Sequence, residues 1–184
     1  MTAPGSPRCL HQEGDIRFLY TPAFDLQYLA PVAAYVQWKR KHDWDDYDEG
    51  YHAARFFGLA QQQPDLRIDS HLMMNKDQLT GVVFFVAGNL PSIETRFAIP
   101  QPDASLIMKY FHIFADHRGW GRRWLKEIVF PFYKQSGIVN IYVSSSHPRS
   151  FSLYEQLGTR IAGYKVVSDH QLTERAGGCY HITL

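Results

Sequence analysis

The chain has few cysteines. Its 184 residues include two, Cys9 and Cys179, which make neither a disulfide framework nor a zinc ligand set, so a reducing, cytoplasmic setting is expected. No apolar run is long enough to span a bilayer as a helix. Formal net charge is +1, from 19 Lys and Arg against 18 Asp and Glu. With no basic stripe or nucleic-acid-binding motif, the chain is expected to bind neither nucleic acid nor a membrane surface. Residues 1–14 lack the charged and apolar segments of a signal peptide and carry Pro4, Gly5 and Pro7. They are expected to be a disordered tail. Repeats, low-complexity tracts and internal linkers are also missing, so residues 15–184 are expected to form one domain, large enough to bury most of its apolar surface.

The stretch His112–Leu125 stands out. It ends an apolar run, Leu106–Phe114, short enough for a buried strand. It then turns through Arg118–Gly119–Trp120–Gly121 and becomes helical, with Trp124, Leu125, Ile128, Val129 and Phe132 on one stripe. Pro131 inside this helix must kink it or end it early. A strand feeding a glycine turn at a helix start is an anion site, because unpaired amides converge there and the helix dipole favours negative charge. The dinucleotide fingerprint wants a third glycine where Trp124 stands, and the nucleoside-triphosphate loop wants Gly-Lys-Ser/Thr, which is absent.

Elsewhere, Asp15–Tyr20 reads as a strand. Asp25–Lys41 reads as a helix that starts at Pro31 or is kinked there. A second helix is expected from about Asp46 to Gln62, capped by Asp45 or Asp46, with Tyr47, Tyr51, Ala54, Phe57 and Leu59 inward. Ser70–Met74 and Thr80–Ala87 read as a hairpin around Asn75–Lys76–Asp77. Gly88–Asp103, with three prolines, is either a substrate-side excursion or a surface loop holding a short strand at Ile93–Ile99. Val139–Ser146, Thr159–Val167 and Gly178–Leu184 read as further strands.

The glycine turn resembles the pyrophosphate loop of the GNAT superfamily of acyl-CoA-dependent N-acyltransferases, Arg/Gln-x-x-Gly-x-Gly/Ala. Gly119 and Gly121 stand on its glycines and Trp124–Leu125 on the apolar pair that follows, while Asp116 replaces the Arg or Gln. A second stretch, His147–Gly158, resembles the family's Asn-x-x-Ala-x-x-Leu-Tyr-Glu-x-Leu-Gly-Phe signature. Leu153, Tyr154, Glu155, Leu157 and Gly158 match, while His147, Ser150 and Thr159 depart. The resemblance implies an α/β (α+β) GNAT fold, a mixed, mostly antiparallel central sheet of about six to seven strands flanked by helices. It implies acetyl transfer from acetyl-CoA, a cosubstrate, to a primary amine on a small molecule, peptide or protein, without a metal. A homodimer is left open. The competing reading is a degenerate member that binds acyl-CoA or a partner without turnover.

By the same resemblance, the amides around Arg118–Arg122 hold the pyrophosphate, with Arg118, Arg122 and Arg123 contacting the phosphates. Trp120, His147 and Phe151 lie along the cofactor. A backbone N–H near Phe111–Ile113 faces the thioester oxygen. Tyr154 stands where many members carry the residue that protonates the departing thiolate. A phenol near pKa about 10 can pass a proton to sulfur, whose thiol has pKa about 8.5. Tyr154 also reads as a core aromatic. For the base that takes the amine proton, the candidates are His112, which predicts an acidic limb near about pH 6–7, Glu94 and a water relay. His112 also reads as a core residue and His147 as a helix-start residue. Asp43, Asp45, Asp46, Asp48 and Glu49, interleaved with Trp44 and Tyr47, either cap a helix or attract a cationic amine.

Overall fold

Strand β4 (Gln78–Gly88) sets the layers. From Thr80 to Val86 every residue is buried. Because strand side chains alternate, Val82, Phe84 and Val86 enter one core while Val83 and Phe85 enter another on the opposite face. A strand apolar on both sides needs cover on both sides. In the computed structural model, which describes residues 6–42, 46–114, 117 and 119–184, helices provide it. The sheet has eight strands in the order β1-β2-β3-β4-β5-β6-β8-β7. They are β1 (Arg8–Glu13), β2 (Ile16–Thr21), β3 (Leu66–Asn75), β4, β5 (Ser105–Ile113), β6 (Asn140–Ser145), β7 (Thr159–Val167) and β8 (Glu174–Thr183). All neighbours are antiparallel except β5 and β6. Among the described residues no helix is long and apolar enough to cross a membrane.

The expected disordered tail is corrected over Arg8–Glu13. These residues form β1, paired with β2 from Arg8↔Tyr20 to Glu13↔Ile16. Most of β1 is exposed, so no alternating apolar pattern announces it. The backbone ladder and an ion pair from Glu13 to Arg123 (2.7 Å) hold it.

On one face, α1 (Ala30–Lys41) follows a 3₁₀ turn at Leu26–Leu29 and places Pro31 in its first turn, where a missing N–H costs nothing. Beside it α2 (Glu49–Ala60) starts three residues later than expected, because Asp48 accepts the Tyr51 N–H (2.9 Å) as its cap. Phe57 faces inward as expected, but Ala53 and Ala60 join it, and Tyr51 and Leu59 are exposed, contrary to the expected stripe. Truncating Phe57, fully buried under Phe24 and Phe84, is expected to cost about 3–5 kcal/mol, read from denaturant midpoints.

On the other face, α3 (Trp120–Arg123), a π-helical turn (Trp124–Val129) and α4 (Phe130–Gln135) run on continuously. Pro131 does not end this helix, which runs on to Gln135; a wider turn, with Phe130 N–H donating to Leu125, lies just before it. The extra residue in that turn makes Tyr133, not Phe132, the fully buried position. The last helix is α5 (Pro148–Leu157).

Gly88–Asp103 contains no strand at Ile93–Ile99. It carries two single 3₁₀ turns, Leu90–Ser92 and Pro102–Ala104, and it anchors Leu90, Ile99 and Glu94 in the interior. It is therefore a fixed wall and not a loose surface loop.

Between β3 and α4, His71 is buried against Tyr133 (Nε2 to hydroxyl, 3.0 Å), and burial drives its pKa down to about 3. It folds neutral, while the unfolded chain protonates it below about pH 6.5. Stability is therefore complete above that pH and falls below it, by up to about 1.4 kcal/mol per pH unit for each such histidine. Urea midpoints measured from neutral pH downward should show this onset. A flat profile to pH about 4.5 would contradict the neutral buried ring.

Candidate functional site

The candidate site begins where two strands separate. β5 pairs with β6 only from Ser105↔Asn140 to Met108↔Val143. Beyond that, β5 runs on to Ile113 and β6 to Ser145 without pairing to each other. A β-bulge bends β5 at this point, because the register with β4 slips between Val82↔His112 and Phe84↔Lys109. Tyr110 sits in the bulge with φ of 49°, a conformation that costs a bulky side chain about 1–3 kcal/mol and concentrates at functional sites. The gap opens into a cleft of about 590 Å³, within the range of small-ligand sites.

The bulge also sorts the side chains of β5. Lys109 and Tyr110 face α2, with the Lys109 ammonium 5.0 Å from the Phe56 ring and Tyr110 5.6 Å from Phe57. His112 faces α1, its ring 5.2 Å from Tyr35. Phe111 points the other way, 5.8 Å from Trp124, where a Cβ on Gly121 would come within 3.1 Å of it. The cleft therefore passes through the sheet and joins its two helical faces.

On the α3 side the mouth is the glycine turn. Gly119 caps α3 at φ 104° with open space beside it and no side-chain cap, and Gly119 and Gly121 both line the cleft. The two glycines serve different needs, a left-handed backbone at Gly119 and close packing on Phe111 at Gly121. Arg118 and Asp116 lie outside the described residues. Trp120 packs on Phe18 (5.8 Å). The Arg123 guanidinium pairs with Glu13 and with Glu127 (2.9 Å) and stands over Trp120. Arg122 is exposed beside the turn.

Tyr154, on α5, is largely buried yet lines the cleft, and its hydroxyl makes no hydrogen bond among the described residues. Burial raises its pKa well above the usual phenol range, so it is a neutral donor at any physiological pH. His147 precedes α5 and lines the cleft. Its N–H donates to Ser145 Oγ (3.2 Å) and its Nε2 lies 2.6 Å from the Tyr35 hydroxyl. Phe151 packs against Tyr180 (6.3 Å between ring centres) and under the Arg160 guanidinium (6.0 Å).

Both base candidates change character. His112 lines the cleft, but burial, with help from His147 and Lys39, lowers its pKa to about 3. It is neutral at pH 7, so any limb it governs lies far below the expected range. His112→Ala should accordingly leave a pH–rate profile unchanged between about pH 6 and 7. A limb there that disappears with the ring would contradict the burial. Glu94 is gripped by Arg96 through two side-chain bonds (2.8 and 2.6 Å) and lies outside the cleft lining. Burial alone would raise its pKa, but the Arg96 bonds outweigh this and hold it below the usual carboxylate range. It is a bound counter-ion and a poor base.

Asp43, Trp44 and Asp45 lie outside the described residues. Asp46 accepts the His170 N–H (2.7 Å), and the Asp48 N–H donates to Asp169, which also holds His52 (2.6 Å). Asp48 itself caps α2 and pairs with Arg40. Asp46 and the Asp48 backbone thus fasten the start of α2 to the β7–β8 loop, and the cap expected of Asp45 or Asp46 is Asp48 instead. Glu49 does reach the cleft, between Lys39 (2.7 Å) and Arg175 (3.3 Å). Sequence reasoning missed Tyr35, Arg96, Lys109, Tyr110 and Arg175. The charge on an otherwise apolar strand at Lys109 was the one available signal.

No family model matches the chain, and no curated protein matches it. Solved structures do. The ribosomal L7/L12 α-N-protein acetyltransferase RimL superposes with a TM-score of 0.57 at 12% identity, over 100% of this chain and 98% of that one. A GNAT-family protein from Desulfovibrio desulfuricans gives 0.57 at 11% identity, over 91% and 98%. The chain has the GNAT fold. A ribosomal-protein-alanine N-acetyltransferase from Brucella melitensis follows the same path, with a TM-score of 0.55 at 12% identity, over 90% and 99%.

Proposed function

We propose that this GNAT-fold protein is an N-acetyltransferase that moves the acetyl group of acetyl-CoA to a primary amine by direct attack within a ternary complex. One observation carries the reading. The half of β5 beyond Met108 has no partner on its β6 side, and the resulting cleft has, among the described residues, a glycine turn without a side-chain cap at one mouth and a tyrosine hydroxyl without a hydrogen bond on its wall.

The residues fit the donor. The amides at the start of α3, Gly119–Arg122, suit a pyrophosphate, and the exposed Arg122 stands beside them to add charge. The unpaired backbone of β5 suits the amide-bearing arm, and a β5 N–H near Phe111–Ile113 suits the thioester oxygen as negative charge develops there. Acceptors enter from the α1–α2 face. The amine nitrogen bonds to the acetyl carbon as the carbon–sulfur bond breaks. Tyr154 gives its proton to the sulfur and is reprotonated through cleft water, which also carries away the amine proton, since His112 and Glu94 are both poor acceptors as they stand.

The test is thiol release from acetyl-CoA across a panel of primary amines. Steady release with at least one amine class is expected. Saturable acetyl-CoA binding without release from any amine would favour a protein that binds acyl-CoA without turnover.

A further inference from the structure

The α2-facing wall of the cleft carries a charge that the donor does not use. Lys109 stands next to the bulge, on the face opposite Phe111 and the glycine turn, with its ammonium over Phe56. Among the described residues its Nζ makes no hydrogen bond or ion pair, although Lys109 lines the cleft. The carboxylate that acts on it through space, Glu94, is already satisfied. Glu94 takes both Arg96 side-chain bonds, the Arg96 backbone N–H (2.9 Å) and the Ser144 hydroxyl (3.4 Å). The Arg96 guanidinium is fixed in turn over Tyr164, 4.5 Å from the ring centre. Within this group one carboxylate therefore faces two cations. The cleft as a whole leans the same way, since among the described residues its charged lining is Arg96, Lys109, Arg149 and Arg175 against Glu49.

A half-buried ammonium without a counter-ion is costly unless something arrives to pair with it. Burial, more than the neighbouring Arg96, already pulls the Lys109 pKa down to about 8, and an arriving anion would push it back up. We infer that Lys109, with Arg96 behind it, forms a subsite for an anionic group on the acceptor, so that the preferred acceptor is a primary amine bearing a carboxylate or a phosphate. This inference rests on the acetyltransferase reading for the word acceptor, but not for the binding itself. It reverses the sequence-based expectation of a cation-seeking cleft.

The experiment is equilibrium binding to the CoA-saturated protein by matched pairs, L-glutamate against L-glutamine and O-phospho-L-serine against L-serine, followed by thiol release with the same amines. The charged member of at least one pair is expected to bind about tenfold tighter, the worth of one charge-assisted contact. The pair that shows the difference separates carboxylate from phosphate. Lys109→Met should abolish that advantage by raising KM with kcat little changed, and Lys109→Arg should largely restore it. Equal binding within both pairs, no binding by any probe, or a Lys109→Met variant that loses kcat at unchanged KM would overturn the inference, the last by making Lys109 a proton carrier. Charge-selective binding without thiol release would leave the subsite standing and remove the acetyltransferase reading.

Discussion

Tyr154→Phe is expected to lower turnover about 100-fold, the usual loss when a positioned general acid is removed, while stability and acetyl-CoA affinity change little. The ring is what the core uses. Tyr154 packs 5.5 Å from Tyr180 inside the α3–α5 core, and phenylalanine keeps that contact. The hydroxyl has no partner among the described residues, so its loss leaves no orphaned group behind. Folding and catalysis therefore separate cleanly at this side chain. Near wild-type turnover in the variant would reduce Tyr154 to a packing residue. A large drop in melting temperature would show that the hydroxyl has a structural bond.

Gly119→Val is expected to weaken acetyl-CoA binding tenfold or more, about 1.4 kcal/mol or above. The cause is the backbone and not a steric plug. A Cβ at Gly119 meets open space, but φ of 104° is a conformation that a β-branched residue cannot hold without strain. The turn must re-form, and the first amides of α3 move with it. Gly121→Val is expected to act differently. Its Cβ would press on Phe111 at 3.1 Å, so it should lower melting temperature as well as affinity. Calorimetry and thermal melts on the two variants distinguish these effects. Unchanged affinity in both would place the donor elsewhere.

The pattern of this fold in the sequence is uneven, for physical reasons. β7 was legible to the residue, and the β3–β4 hairpin and β5 to within a few residues, because apolar runs and turn residues bound them. α2 was legible as a helix but not in phase. Asp48 took the cap from Asp45 and Asp46, and a shift of two or three residues turns a different face inward. β1 was illegible because its stability lies in a ladder and an ion pair to Arg123. The same pair gives Arg123 a partner 110 residues away that local patterning does not reveal. The place of Tyr154, Gly119 and Gly121 on the cleft was legible because they stand at fixed spacings in two short stretches. The α2-facing wall was not, because Arg96, Lys109, Tyr164 and Arg175 come from four separate segments that only the sheet order brings together.

The most direct test of the account is calorimetric titration of acetyl-CoA into the wild-type protein, with Gly119→Val alongside and NAD as the control nucleotide. The account predicts saturable binding of one acetyl-CoA per chain, weakened tenfold or more in the variant, and none of NAD. Acetyl-CoA that fails to bind at millimolar concentration, or that binds equally well to the variant, would contradict it.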